Sequence, residues 1–290
     1  MGVLKIGIPK GSMEESTISL FKKAGYTITT GSRSYYPQVD DEEIEAMLLR
    51  PQEMALYAER GVIDIGLAGR DWVRECKVDV VEVAEFVYSR QTNRPARWVL
   101  AVAEDSGIQS VQDLEGKEIF TAIVESTKAY LAENGVKATV KFSHGATEVK
   151  IPHLCEAIVE ITETGNSLRA NRLRIVETIM ESVTTMIAHR QSWKDEWKRN
   201  KIENLKMLLA GALKAEGKVG LKMNIAADNL EDLIQILPSM RNPTIASLSQ
   251  EGWYAIETII DQHICRDLIP ELRRIGAEGI IEYTLNKVIP

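Results

Sequence analysis

Four short segments of the 290-residue chain gather hydroxyls, glycines and charged side chains of the kind that hold a phosphate or a sugar. In ITETGNSLRANRL, residues 161–173, Thr162, Glu163, Thr164, Gly165, Asn166 and Ser167 stand consecutively between an apolar run and the next helical pattern. Hydroxyls and backbone N–H groups around a glycine offer donors and close backbone approach, which suits a phosphate at a helix start. Lys10-Gly11-Ser12 joins an ammonium to a flexible backbone at another helix start. The run GLAGRD, ending in Gly69, Arg70 and Asp71, follows an apolar stretch, and Asp71 can serve there as an N-cap or as the acceptor for a sugar hydroxyl. The run SHGATE, ending in Glu148, adds two hydroxyls and a carboxylate. Each segment alone is equally an ordinary turn or surface loop. Four together describe an anion-binding cleft, for which Lys10 and Arg50 supply cations. Glu156 and Glu160 share one strand face if EAIVE is extended; such a pair either faces solvent or grips ribose hydroxyls or Mg²⁺.

Other chemistries find little support. His144, His153, His189 and His263 form no metal-ligand spacing, and no G-x-S-x-G, Walker, H-E-x-x-H or G-x-G-x-x-G motif is present. Cys76, Cys155 and Cys265 lie far apart, which argues against a disulfide framework and fits a reducing, cytoplasmic compartment. With 35 Lys and Arg against 42 Asp and Glu, the net charge is −7, so no global field draws in nucleic acid or acidic lipid. The N-terminus MGVLKIGIPKG has no sustained apolar segment, and no window reaches the ~20 apolar residues of a membrane span.

The elements that must position these residues alternate. VLKIGI, a Lys-Gly turn and SMEESTISLFKKAG read as strand, turn and helix, with Ser12 and Glu15 at capping-box spacing. EIEAMLLR, PQEMALYAERG with Pro51 in the first helical turn, VIDIGLAG and DWVREC repeat the pattern. Alternation of this kind predicts a parallel sheet covered on both faces. A polar segment at 91–97 marks a crossing to a second α/β lobe, whose last strand leads into ITETGN. RIVETIMESVTTMIAHR carries the chain back to the first lobe before the helical run QSWKDEWKRNKIENLKMLLAGALKAEG. Beyond it, the order β-α-β-β-α-β predicts a separate ferredoxin-like domain. Two lobes joined by two crossings bind small ligands in the cleft between them.

These segments, in this order, resemble the long form of ATP phosphoribosyltransferase, the first enzyme of histidine biosynthesis. KIGIPKGSMEE, LLRPQEMALYAERGVIDIGLAGRDW, SHGATEV and ETGNSLRANRL carry the resemblance, with NPTIASL in the tail. It implies an α/β fold: a two-lobed, periplasmic-binding-protein-like catalytic core and a C-terminal ferredoxin-like regulatory domain. Lobe I is expected over 1–95, completed by 180–214, lobe II over 96–179 and the regulatory domain over 215–290. The implied reaction joins N1 of ATP adenine to the sugar of phosphoribosyl pyrophosphate, releases pyrophosphate, requires Mg²⁺ and is inhibited by histidine. Lys10, Arg50 and Glu148 become the expected catalytic residues. Glu156, Glu160, Thr162, Glu163, Thr164, Gly165, Asn166 and Ser167 are expected to hold the donor, with Glu160 also near Mg²⁺. Gly11, Gly69 and Asp71 are expected to shape the nucleotide cleft, and Thr244 to lie at the histidine site. Glu156 and Glu160 stand where the family tends to have aspartates. Glu163 replaces a smaller residue, so its side chain is expected to point to solvent, away from the phosphate. Homo-oligomers, dimer and hexamer, are implied. The alternative is a non-catalytic two-lobed binding protein for an anion or nucleotide.

Overall fold

A computed structural model of the chain describes residues 2–31, 33–88, 95–238 and 243–289. The chain divides into one unit of Met1–Lys22 with Tyr26–Lys206 and a second of Lys23–Gly25 with Met207–Pro290. In the first unit, β1 (Leu4–Pro9), α1 (Glu14–Ala24), the ribbon β2 (Ile28–Thr29) and β3 (Gln38–Val39), β4 (Ile44–Leu49), α2 (Pro51–Glu59), β5 (Ile65–Gly69), α3 (Arg70–Cys76) and β6 (Val81–Phe86) come first. The second lobe follows with β7 (Ala96–Ala103), β8 (Glu118–Thr121), α4 (Val124–Glu133), β9 (Thr139–Phe142), β10 (Ala157–Thr162), α5 (Asn166–Ala170) and β11 (Leu173–Ser182). Then β12 (Thr184–Ala188) rejoins the first sheet ahead of α6 (Arg190–Lys194) and α7 (Glu196–Lys214). The two sheets run β4-β1-β5-β12-β6 and β11-β7-β10-β8-β9. The first crossing lies between Phe86 and Ala96, with 89–94 outside the described residues; the second is Val183.

Both sheets are mixed, not wholly parallel as the alternation predicts. β1 pairs in parallel with β4 and β5, and β8 with β9 and β10. The strands at the crossings differ: β12 is antiparallel to β5 and β6, and β7 is antiparallel to β10 and β11. Parallel neighbours need a crossover element, usually a helix. A strand entering from the other lobe has none.

The run WVLAVA shows why an uninterrupted apolar strand is needed. Trp98, Leu100 and Val102 pack into one core with Ile119 and Leu131, while Val99 and Ala101 pack into another with Leu168 and Leu173. Both faces of the sheet are therefore buried. Two local predictions change. Glu14, not Glu15, reaches back to the turn before α1, its carboxylate accepting the Gly11 N–H at 3.3 Å, so the Ser12/Glu15 box does not form. The long helical run breaks at Asp195, whose extended backbone ends α6 and whose side chain accepts the Lys198 N–H at 2.9 Å in the first turn of α7.

The second unit contains β13 (Lys218–Ala226), α8 (Leu230–Ile236), β14 (Thr244–Ser247), β15 (Trp253–Asp261), α9 (Gln262–Arg274) and β16 (Glu278–Thr284). Its sheet order, β14-β15-β13-β16, is that of a ferredoxin-like unit. Val219, Leu221 and Ile225 share a core with Ile256, Ile260, Leu268 and Leu272. Among the described residues, no helix is long and apolar enough to cross a membrane.

One buried charge ties the base of the first lobe together. Asp64 is 4% exposed and accepts hydrogen bonds from Lys5 N at 2.8 Å, Ser192 Oγ at 2.5 Å and Lys198 Nζ at 2.6 Å. These partners belong to β1, α6 and α7, far apart in sequence. Removing the acceptor leaves a half-buried ammonium, a buried hydroxyl and an amide unpaired. Asp64→Ala is expected to destabilise the first unit by about 3–5 kcal/mol in a urea titration, and a loss below about 1 kcal/mol would show that Lys198 finds water instead.

Candidate active site

The cleft between the two lobes has a volume of about 420 Å³, within the range of small-molecule sites. The ends of β1 and β4 bring in Ser12, Met13, Pro51 and Gln52; the end of β5 brings in Gly69, Asp71 and Trp72. Lobe II contributes Trp98, Ala122 and the 160–163 segment at the end of β10. Tyr88 and Thr184 come from the two crossings. Tyr88 is 7% exposed and meets Thr17 Oγ1 at 3.0 Å, and burial pushes its phenol up to about 12. The cleft thus has an apolar aromatic part and a polar lip.

The lip is built by two loops of lobe II. Thr162 Oγ1 accepts the Gly165 N–H at 2.8 Å, closing a turn across Glu163 and Thr164. Gly165 sits at φ +75°, a conformation side chains disfavour, and an added Cβ would lie 3.1 Å from Arg169 Nη1. The Arg169 guanidinium donates to Thr164 O at 3.0 Å and to Asn166 Oδ1. In the second loop, Ser143 Oγ and Thr147 Oγ1 are 2.9 Å apart. Lys150 Nζ donates to Ser143 Oγ and Gly145 O, both at 2.8 Å. The loops meet where the Ser167 hydroxyl donates to Glu148 Oε1. Glu160 lies in the cleft beside them. Its carboxyl is pushed above the usual carboxylate range mainly by burial and further by the charge of Glu148, against the pull of Thr147, the Ile161 N–H and Lys150.

Lobe I supplies the cations. Lys10 is half-buried, with Nζ 3.9 Å from the centre of the Tyr35 ring, and its N–H donates to Leu49 O at 2.7 Å. Arg50 is exposed immediately before α2, whose first residue is Pro51. Both stand next to cleft residues, Gly11 between Lys10 and Ser12 included.

Three expected site residues have other surroundings. Glu156 precedes β10, and Oε2 accepts the Glu118 N–H at 3.0 Å. Four residue steps along the strand direction separate it from Glu160, roughly 13 Å at strand rise, so the two carboxylates do not form a pair. Asp71 lines the cleft, but its carboxylate is taken: Ser182 Oγ donates to Oδ1 at 2.8 Å and Trp98 Nε1 to Oδ2 at 2.7 Å. It is neither an N-cap nor an acceptor open to a sugar. Glu163 is half-buried and is one of the cleft-lining residues, within the turn that Thr162 and Gly165 close. Thr244, in the second unit, is exposed on β14 opposite Glu257.

Sequence reasoning missed Trp72, Tyr88, Trp98 and Ser182. Trp98 is nearly enclosed, at 2% exposed, and meets Trp72 edge to face with centroids 6.4 Å apart. Its signal was the one side-chain N–H in the apolar run WVLAVA, which obliges an acceptor once buried.

Comparison with known proteins agrees with this architecture. Residues 50–211 match the family profile described as ATP phosphoribosyltransferase, and residues 215–287 match that of the HisG C-terminal domain. An ATP phosphoribosyltransferase from Chlorobium chlorochromatii is 59% identical over 287 residues, 99% of this chain and 98% of the relative. One from Thermodesulfovibrio yellowstonii is 55% identical over 288 residues, 99% of each. Among solved structures, the ATP phosphoribosyl transferase (HisG:HisZ) complex from Thermotoga maritima superimposes with a TM-score of 0.62 at 27% identity, over 72% of this chain and 99% of that one. The chain belongs to the ATP phosphoribosyltransferase family, enzymes of the pentosyltransferase class.

Proposed function

We propose that the cleft transfers the 5-phosphoribosyl group of phosphoribosyl pyrophosphate to N1 of ATP adenine, releasing pyrophosphate, as the first step of histidine biosynthesis in the cytoplasm. The observation that carries this reading is the junction of the 162–167 turn with the 143–150 loop at Ser167 and Glu148. That junction adjoins the cleft-lining 160–163 segment of lobe II, and on lobe I Lys10 and Arg50 lie within two residues of the lining residues Ser12 and Pro51. The 5-phosphate would sit against Thr164, Gly165, Asn166 and Ser167. It would take over the donation that Ser167 makes to Glu148, leaving the Glu148 carboxylate for the ribose.

Attack by a ring nitrogen on an anomeric carbon needs no covalent enzyme intermediate. The chain's task is alignment of two anions and support of the departing charge. Lys10 and Arg50 fit the second role. The aromatic part of the cleft, with Trp72, Tyr88 and Trp98, suits a planar base. Among the described residues, no three His, Cys, Asp or Glu side chains could together hold a metal ion. Mg²⁺ therefore fits as an ion carried by the pyrophosphate and met by the single carboxylate of Glu160. When bound, it supplies charge neutralisation to the leaving group.

For the second unit we propose histidine as feedback inhibitor, bound near Thr244, with the chain assembled as dimers and hexamers. Inhibition requires histidine to prefer one of two arrangements, a coupling of about 1–3 kcal/mol.

The direct test follows phosphoribosyl-ATP absorbance with ATP, donor, Mg²⁺ and a pyrophosphatase. Signal is expected only with both substrates and is expected to fall when histidine is added. Donor binding without turnover would instead favour a binding protein.

Variants divide the roles. Ser167→Ala is expected to weaken donor binding about fivefold while ATP binding holds, the cost of one lost hydrogen bond. Arg50→Ala is expected to lower kcat/KM about 10²-fold. Calorimetry and initial rates read both, and a Ser167 effect confined to ATP would misplace the phosphate.

Glu160 gives a pH prediction. Its folded pKa is raised by burial, so the protonated form is the one the fold favours, and that stability is lost as pH rises through the raised value. Glu160→Gln is expected to raise Tm by about 2 °C at neutral pH, to make no difference well below the usual carboxylate range, and to weaken Mg²⁺-dependent donor binding. A Tm gain that persists in acid would attribute it to packing.

A further inference from the structure

The cleft does not account for the outward end of α3. Asp71 and Glu75, four residues apart, occupy one face of this helix, and both reach lobe II. Asp71 meets Trp98 of β7. Glu75 meets the start of α4: Oε1 accepts the Glu125 N–H at 2.9 Å and Oε2 the Ser126 N–H at 2.8 Å. Just past the helix, Lys77 Nζ donates to Glu125 Oε2 at 2.9 Å.

Helix α4 has no cap of its own. Ile123 occupies the N-cap position without a capping side chain, and its N–H donates to Thr121 Oγ1 at 3.1 Å. The next free amides, at Glu125 and Ser126, are satisfied by a carboxylate from the other lobe. The contact between α3 and α4 adjoins the cleft, which Trp72 of α3 and Ala122, two residues before α4, both line. The two ends of α3 differ in what they touch. Asp71 is 2% exposed and binds residues beside the crossings, Trp98 and Ser182, so rotation of the lobes moves its contacts little. Glu75 is half-buried and its partners lie on an outer element, so the same rotation separates them.

We propose that α3 is an interlobe latch: Asp71 holds the pivot, and Glu75, seated on the first turn of α4, is a positioning residue that keeps the empty cleft closed for its ligands. Glu75 touches neither reacting group. It acts by setting the fraction of molecules whose lobes are already in the binding arrangement. A ligand that binds only that fraction has its dissociation constant divided by it. Release of the latch must therefore weaken every ligand that bridges the lobes by one common factor. The identity of those ligands, phosphoribosyl pyrophosphate and ATP, rests on the function proposed above; the latch itself can be read without them.

The test uses the full chain with Glu75→Ala, and with Glu75→Gln, which keeps the size and one acceptor, as the variant that preserves the fold most closely. Calorimetric Kd for donor with Mg²⁺ and for ATP is expected to rise about five- to tenfold by the same factor in Glu75→Ala, less in Glu75→Gln, with kcat within about twofold of the parent. Hydrogen exchange of the unliganded chains is expected to quicken about fivefold both at Glu125 and Ser126 and within α3. Faster exchange at Glu125 and Ser126 alone would make Glu75 a mere helix cap and overturn the latch. So would a Kd change for one ligand only, or a fall in kcat at unchanged Kd. A parent chain that fails to turn over would refute the catalytic reading, and the exchange pattern would still decide the latch.

Discussion

A single carboxylate with almost no solvent access fixes how the two lobes meet. Burying Asp71 would be costly without compensation. Trp98 Nε1–H and the Ser182 hydroxyl supply it, and Ser182 Oγ also accepts the Asp71 N–H at 3.2 Å. One residue earlier, the Arg70 N–H donates to Val183 O at 3.0 Å. The first turn of α3 is thereby stitched to the point where the chain passes from β11 to β12. Gly69 is required for this: a Cβ there would lie 2.1 Å from Asp71 Oδ1. These bonds, together with those of Glu75 and Lys77 to the start of α4, refer lobe II to lobe I. The cleft owes its shape to them more than to any loop that lines it.

This arrangement explains which parts of the molecule could be read from the chain. The α/β class and the ferredoxin-like tail follow from local periodicity, because strands buried on both faces must be continuously apolar and helices between them must be amphipathic. Pro51 marked the start of α2, and the Gly165 turn was visible as a cluster of turn-forming residues. What stayed hidden depends on distant partners. Asp71 looked like a ligand or a cap because nothing in GLAGRDW announces Ser182, more than a hundred residues away. The same blindness applies to Glu75, an unremarkable surface acid until α4 is placed against it. Antiparallel strands at the crossings were missed because alternation of elements reports connection type only within a lobe. The capping of α1 by Glu14 was a one-residue error of the kind helix ends invite.

The charge around the donor loops presents a physical problem that the side chains partly answer. Glu148, Glu160 and Glu163 all border a space proposed for two polyanions, and the chain carries −7 overall. Lys150 cannot offset them freely, since its ammonium is committed to Ser143 and Gly145. Glu160 reduces the conflict in two ways. Burial raises its pKa, because a desolvated carboxyl favours its neutral form. Its Oε1 also turns back to accept the N–H of the next residue, Ile161, at 3.0 Å. A glutamate folded onto its own backbone holds its carboxylate close to the strand, so the methylene it has beyond an aspartate lengthens the path and not the reach. Glu160 therefore keeps its carboxylate near the depth that a shorter acidic side chain at this strand position would reach.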